Sequence, residues 1–173
     1  MYVKILEVKS NKLVDAQIIE GKERMLPGIQ EGWRFNFFKR SKSKDHSNTY
    51  ALVVEQNKEI VEGCLIYRMK KAIEPYIAYV EVAPHNKGIH KIHDRVAGCL
   101  IAFACRLSFL MGKDHFMGWL AFDVLEESKE DEVRLMNLYS KKYYAQRFGQ
   151  TTTMIISPEN GEKLIEEYLE TNS

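Results

Sequence analysis

The chain has 173 residues, a length that fits one domain with a sizeable core. With 45% hydrophobic and 28% charged side chains it has the make-up of an ordinary globular protein, which excludes a disordered chain. Its 25 basic and 24 acidic residues leave a net charge of +1, so there is no global electrostatic case for nucleic acid or an anionic membrane as partner.

In chain order, residues 4–8 read as a strand, and residues 13–25 as a helix ended by Pro27-Gly28. An aromatic cluster follows at residues 33–38, then a basic stretch at residues 39–44 that reads as a loop. Residues 50–55 and 60–69 read as two strands joined by a turn at Gln56-Asn57-Lys58, a hairpin. Pro75 opens the strand of residues 76–84. Its alternation puts Tyr76, Ala78, Val80 and Val82 on one face and Ile77, Tyr79, Glu81 and Ala83 on the other. Both faces are largely apolar, so this strand belongs in the interior of a sheet.

Residues 96–111 are apolar on nearly every side of a helix, which requires cover on most of the helix surface. Gly112 stops it. Residues 116–125 read as a strand, residues 126–131 as a charged connection and residues 133–147 as a helix. Residues 152–156 read as the last strand, and Ser157-Pro158 is a good N-cap and first-turn pair for a closing helix. This order predicts an α/β fold with a mixed, mostly antiparallel central sheet flanked by helices, and residues 1–173 as a single domain. The strand–helix–strand unit of residues 77–125 predicts a parallel crossover.

Cys64, Cys99 and Cys105 sit in apolar runs without a CxxC pair and predict buried free thiols in a reducing compartment. Residues 1–8 lack a signal-peptide layout, and no stretch is apolar for the ~20 residues that a spanning helix needs. The expected location is cytoplasmic.

The richest chemistry is expected where the central strand hands the chain to the long helix. A helix start offers free backbone N–H groups and partial positive charge, and the small residues of Val96-Ala97-Gly98-Cys99 leave room for an anion such as a phosphate. The competing reading is plain close packing. His85, His90, His93 and Asp94 lie nearby, but His-x4-His-x2-His is not a standard zinc spacing, and no metal is expected. For residues 33–44 the favoured reading is aromatics packed inward and lysines on a loop; stacking on single-stranded nucleic acid ranks below it.

Small residues recur along the helix at Ala104, Ser108 and Gly112. Together with Val96-Ala97-Gly98-Cys99-Leu100-Ile101 this resembles the pyrophosphate loop and following helix of the GNAT superfamily of acyl-CoA N-acyltransferases. Residues 80–84 resemble that family's central strand, and Asn137-Leu138-Tyr139 through Tyr143-Tyr144 its second signature. The resemblance spans residues 50–156 in element order. In the register that keeps the helix pattern, Ile92 stands at the Q/R position, Arg95 at a glycine position and Ala97 at the last G/A position. A second register uses residues 85–90. Tyr143 or Tyr144 stands where a glycine is usual.

The resemblance implies an acetyl-CoA-dependent N-acetyltransferase, with acetyl-CoA as co-substrate. It implies phosphate contacts from Arg95, Val96, Ala97, Gly98 and Cys99, strand-like pairing of the pantetheine arm with the backbone at Val82 and Ala83, and a pantetheine contact from Asn137. Acyl transfer needs a base and an acid. Glu81, the sole carboxylate of its strand, is the candidate base; the alternative is a carboxylate exposed or paired with a nearby cation. Tyr139 is the acid that the resemblance implies for the leaving thiolate, with a core tyrosine as the alternative. The expected acceptor is a small-molecule or protein amine, with its pocket formed by residues 26–48 and 84–95. A second copy of the chain is a further candidate partner, whereas membrane and nucleic acid are not expected. A non-catalytic binding module on the same fold is the rival reading.

Overall fold

A computed structural model of the chain describes residues 1–44 and 48–170. Residues 45–47 of the expected acceptor loop therefore lie outside the described residues. The first strand, β1 (Tyr2–Glu7), folds back on β2 (Lys12–Glu20) through a turn that holds Asn11 in the left-handed region, at φ 52°. The helix expected over residues 13–25 is therefore a strand followed by a 3₁₀ turn at Glu23–Met25. Tertiary pairing decides this: β2 is laddered on both sides, and Ala16 and Ile18 bury at a spacing of two.

The short helix α1 (Phe37–Arg40) is capped by the Asn36 side chain, which accepts from the Lys39 N–H at 2.9 Å. Strands β3 (Asn48–Val54), β4 (Asn57–Lys70) and β5 (Glu74–Val82) form an antiparallel meander. The register of β4 on β5 slips in the middle: Ile66 faces Tyr79, but Tyr67 faces Ile77, leaving Ala78 as an extra residue. A bulge of this kind reverses the alternation beyond it. Ile77 thus joins Val80 and Val82 in the core beneath the long helix, and Ala78 joins Tyr79 and Ala83 in the opposite core. The uninterrupted alternation expected for this strand is corrected at these two positions.

The chain then passes through a 3₁₀ turn (Pro84–Asn86) and the two-residue strand β6 (His93–Asp94), which pairs with β1 at the sheet edge. Helix α2 (Val96–Met111) has the bounds its sequence predicts and is buried along most of its length, though Leu110 stays exposed. Strand β7 (Leu120–Asp123) pairs parallel with β5 at Tyr76↔Ala121 and Ile77↔Phe122. It is shorter than expected because Gly118, at φ 83°, turns the chain before it, and a Cβ there would meet the Phe109 ring at 2.6 Å.

Helix α3 (Lys129–Tyr143) starts earlier than expected. Ser128 caps it, and Glu130 and Asp131, read from sequence as part of a connection, form its first turn with Glu132, where the helix dipole favours acidic groups. Strands β8 (Gln146–Arg147) and β9 (Thr153–Ile156) follow. The closing helix α4 (Pro158–Tyr168) is capped by Ser157. Among the described residues nine strands form one sheet in the order β6-β1-β2-β3-β4-β5-β7-β9-β8, mostly antiparallel with helices against it. One core lies under α2 and α4; a smaller one on the other face holds Trp33 and Phe37 with Ile66. Those two aromatics are 5% and 0% exposed, so the inward-packing reading of residues 33–38 holds for them, while Phe38 faces outward.

Candidate active site

Beyond Ile77 the ladder between β5 and β7 stops, and the two strands part. A cleft of about 280 Å³ opens between Ile77–Val80 on one arm and residues 122–126 on the other. Leu135 and Tyr139 of α3 complete its wall. The bulge at Ala78 and the parting thus fall at the same level of the sheet.

Asp123 fixes the arm at the point of parting. Its carboxylate accepts from the Tyr76 hydroxyl at 2.6 Å and from the hydroxyls of Thr153 and Thr152 at 2.8 and 3.1 Å. Burial by itself would raise the Asp123 carboxyl, but these hydrogen bonds and the charge of Lys70 outweigh it and hold the group below the usual carboxylate range.

Tyr139, the expected acid, lines the cleft. Its ring packs on Phe122 at 4.9 Å and on Tyr143 at 5.8 Å, and among the described residues its hydroxyl has no hydrogen-bond partner. Burial pushes its phenol above the ordinary value, the Glu126 carboxylate pushes it further, and Arg34 opposes them. The group is therefore held as a neutral phenol, the form able to donate a proton.

Glu81, the expected base, does not line the cleft. Its carboxylate is buried on the opposite face, where it accepts from the Arg34 N–H at 2.8 Å and the Phe35 N–H at 3.0 Å and pairs with the Lys87 ammonium at 2.5 Å. Of the two readings of Glu81, the structure shows the paired one: the carboxylate clamps residues 34–35 to the sheet. Hydrogen bonds to a charged group contribute about 1.5–3 kcal/mol each, so this clamp is firm. It carries Arg34 to the cleft mouth, where the guanidinium pairs with Glu126 at 2.7 Å and reaches the Leu125 carbonyl at 3.3 Å. That pair is half exposed on its Arg34 side and worth only about 0–1 kcal/mol, so the mouth opens at little cost.

The start of α2 has no side-chain cap, and its N-cap residue Arg95 is left-handed at φ 71°. The Arg95 guanidinium donates to the Glu167 carbonyl at 2.6 Å and lies over the Tyr168 ring. Lys91 and Lys142 flank Asp94 beside it, at 2.7 and 4.0 Å. The space that Gly98 leaves is used by protein: a Cβ there would fall 2.1 Å from the Tyr168 ring. Cys99 cannot offer its N–H to a ligand, because that group already bonds the Arg95 carbonyl at 2.9 Å. Burial raises its thiol to about 12, and the sulfur points at the Lys4 and Tyr168 carbonyls. Gly98 as a gap for an anion, and Cys99 as a contact to it, are thus corrected to packing roles. Among the expected phosphate contacts this leaves the backbone of the helix start, Val96 to Gly98, with Arg95.

Val82 is half-buried and pairs with Gly63 of β4; Ala83 is buried and donates its N–H to the Glu62 carbonyl at 2.8 Å. Asn137 faces solvent and does not line the cleft. All three cysteines are free and buried.

A second cluster was not anticipated as a unit. Glu62 of β4 is buried, and its Oε2 faces Asn86 Nδ2 at 2.7 Å, His85 Nε2 at 2.8 Å and His93 Nδ1 at 2.9 Å. Burial would raise this carboxyl, but hydrogen bonds from Asn86, His85 and His93 hold it below the usual range. The histidines were visible in sequence; Glu62 lies 23 residues before the first of them, and only the β4–β5 pairing brings it there.

This architecture, with parted strands beside a helix start, is a GNAT-like fold. No protein-family model and no curated protein matches the sequence. Among solved structures, the chain is similar to that of the KacTA–DNA complex, at TM-score 0.58 and 11% identity over 88% of this chain and 99% of that one. It is similar to the AtaT toxin bound to the C-terminus of the antitoxin AtaR, at TM-score 0.57 and 13% identity over 86% and 97%. AtaTR bound with acetyl-CoA aligns at TM-score 0.56 and 13% identity over 87% and 98%. Among the described residues no helix is long and apolar enough to cross a membrane.

Proposed function

We propose that this chain is an acetyl-CoA-dependent N-acetyltransferase acting on an amine. The observation that carries the reading is the parting of β5 and β7 beside Tyr139, whose phenol is neutral and has no hydrogen-bond partner among the described residues. In this reading the pantetheine arm lies along the edge of β5 that β7 leaves, pairing with it as a short strand. The phosphates sit at the start of α2, near Val96 and Ala97, with Arg95, Lys91 and Lys142 as the nearby cations. The free amine attacks the thioester carbonyl, its nitrogen gives up one proton to solvent, the C–S bond breaks, and the leaving thiolate takes the Tyr139 proton; the phenolate then regains a proton from solvent, so that amide and thiol form with no net gain or loss of protons. Glu81 acts here as a positioning residue that holds Arg34 and Phe35 beside the mouth.

A second reading, a non-catalytic binding module, is favoured by the way the expected phosphate loop is tied down. Ile92 bonds the His85 carbonyl and Val8 bonds the Ile92 carbonyl, each at 2.9 Å, and Tyr168 fills the space at Gly98. The neighbours with DNA and antitoxin bound make a macromolecular partner part of this reading, and the expectation that nucleic acid is excluded finds no support in them. Release of CoA from acetyl-CoA across a panel of amines separates the two. The enzyme reading predicts turnover that Tyr139→Phe lowers about 10²–10⁴-fold while acetyl-CoA affinity stays unchanged. Binding with no turnover on any amine supports the module instead.

A further inference from the structure

Three nitrogen atoms converge on one oxygen of a buried carboxylate at Glu62, and two of them belong to imidazoles. The donor atoms of Glu62, His85 and His93 all lie within 4.8 Å of one another. We propose that Glu62, His85 and His93 form a binding site for a divalent transition-metal ion of the zinc type, separate from the acyl-transfer cleft.

The donor set is the first argument. Two neutral imidazoles and one carboxylate make an N₂O site, a combination that suits zinc and its first-row neighbours, with a position left for water. A tetrahedral ion with bonds of about 2.0–2.1 Å spaces its donor atoms about 3.3 Å apart. The nitrogens now stand 2.8 and 2.9 Å from Glu62 Oε2 and within 4.8 Å of each other, so an ion would move each a few tenths of an ångström off the carboxylate and draw the two imidazoles together.

Preorganisation is the second. The three side chains come from β4, from the 3₁₀ turn after β5 and from β6. Their backbones are held independently of any ion. The His93 N–H donates to Asn86 Oδ1 at 2.8 Å, the His85 carbonyl accepts from Ile92 at 2.9 Å, and β6 is laddered to β1. Asn86 also donates to the Glu62 backbone carbonyl and to the same Oε2, so it fixes the orientation of the carboxylate. The Glu62 side chain is 4% exposed, that of His93 11% and that of His85 33%, so the site is closed on the protein side and open to solvent past His85. The spacing read from the sequence does not pick out this set, because it skips His90 and draws its carboxylate from another strand. An ion here would fasten residues 84–94, the segment leading into α2, to β1 and β4 at once.

The test uses the whole chain stripped with a chelator and titrated with Zn²⁺ against a competing chromophore, with melting temperature followed in parallel. One saturable site at micromolar Zn²⁺, with a rise in melting temperature, is expected. His85→Ala, on the solvent side, should weaken binding at least about tenfold, as should His93→Ala, whereas His90→Ala should not change it. Since His93→Ala may misfold, Co²⁺ substitution of the native chain gives an independent reading: absorption bands of a four- or five-coordinate ion are expected. No saturable binding, a His90→Ala loss equal to that of His85→Ala, or the spectrum of hydrated Co²⁺ overturns the proposal and leaves the cluster as a hydrogen-bonded anchor.

Discussion

Two residues break the pattern that the resemblance sets, and both do so in the same way. In the resemblance Arg95 stands at one glycine position and Tyr143 or Tyr144 at another, and Arg95 and Tyr144 both have left-handed backbones, at φ 71° and 55°. The fold keeps the glycine-type conformation and pays for a side chain in it, about 1–2 kcal/mol for a non-glycine residue. At Tyr144 the ring returns little, because its hydroxyl bond to Glu167 is exposed and 3.3 Å long. Tyr144→Gly should therefore raise the melting temperature by an amount worth about 0.5–1 kcal/mol, read by thermal or urea unfolding. A drop would mean that the ring stabilises α3 more than the backbone strains it. At Arg95 the guanidinium contacts with the Glu167 carbonyl and Tyr168 offset the strain, so the same change there is not expected to stabilise. Glycine positions of this kind were legible in sequence as departures; that the backbone stayed left-handed was not, since it depends on how α4 and the end of α3 close on each other.

Among the elements, the parting of β5 and β7 depends on Asp123, the last residue of β7, whose carboxylate gathers Tyr76, Thr152 and Thr153. Its folded-state value lies below the usual one, so the fold prefers the ionised form. The stabilisation is complete above the unfolded value near pH ~4 and is lost as pH falls through the folded value. Melting temperature against pH should show this acid-side loss in the native chain, and Asp123→Asn should remove that component while costing about 1–2 kcal/mol at neutral pH. An unchanged acid limb in the variant would assign the pH dependence to other carboxylates. Elements with a strong local signal, such as α2 with its apolar surface and Gly112 stop, or α4 with Ser157-Pro158, were legible to within a residue or two. Those set by tertiary pairing were not: β2 was read as a helix, and the bulge at Ala78 has no mark in the sequence because it is a mismatch between two strands.

Taken whole, the molecule keeps two clusters apart: the cleft at the parted strands, and Glu62 with its two imidazoles. The loop of residues 84–95 was expected to shape the acceptor pocket and, through Arg95, to meet the cofactor phosphates; the fold also ties it to β1 through β6 and turns two of its histidines onto Glu62. The acyl-transfer reading then rests on the cleft at the parted strands, where Tyr139 lies, and on the helix start beyond it. The near-zero net charge said little about either, since both depend on local arrangements of a few groups. Calorimetric titration of acetyl-CoA into the native chain and into Leu135→Trp, which fills the cleft from α3 without touching the sheet ladder, tests this most directly. The account predicts saturable binding to the native chain that the tryptophan abolishes; no binding to the native chain, or equal binding to both, would contradict it.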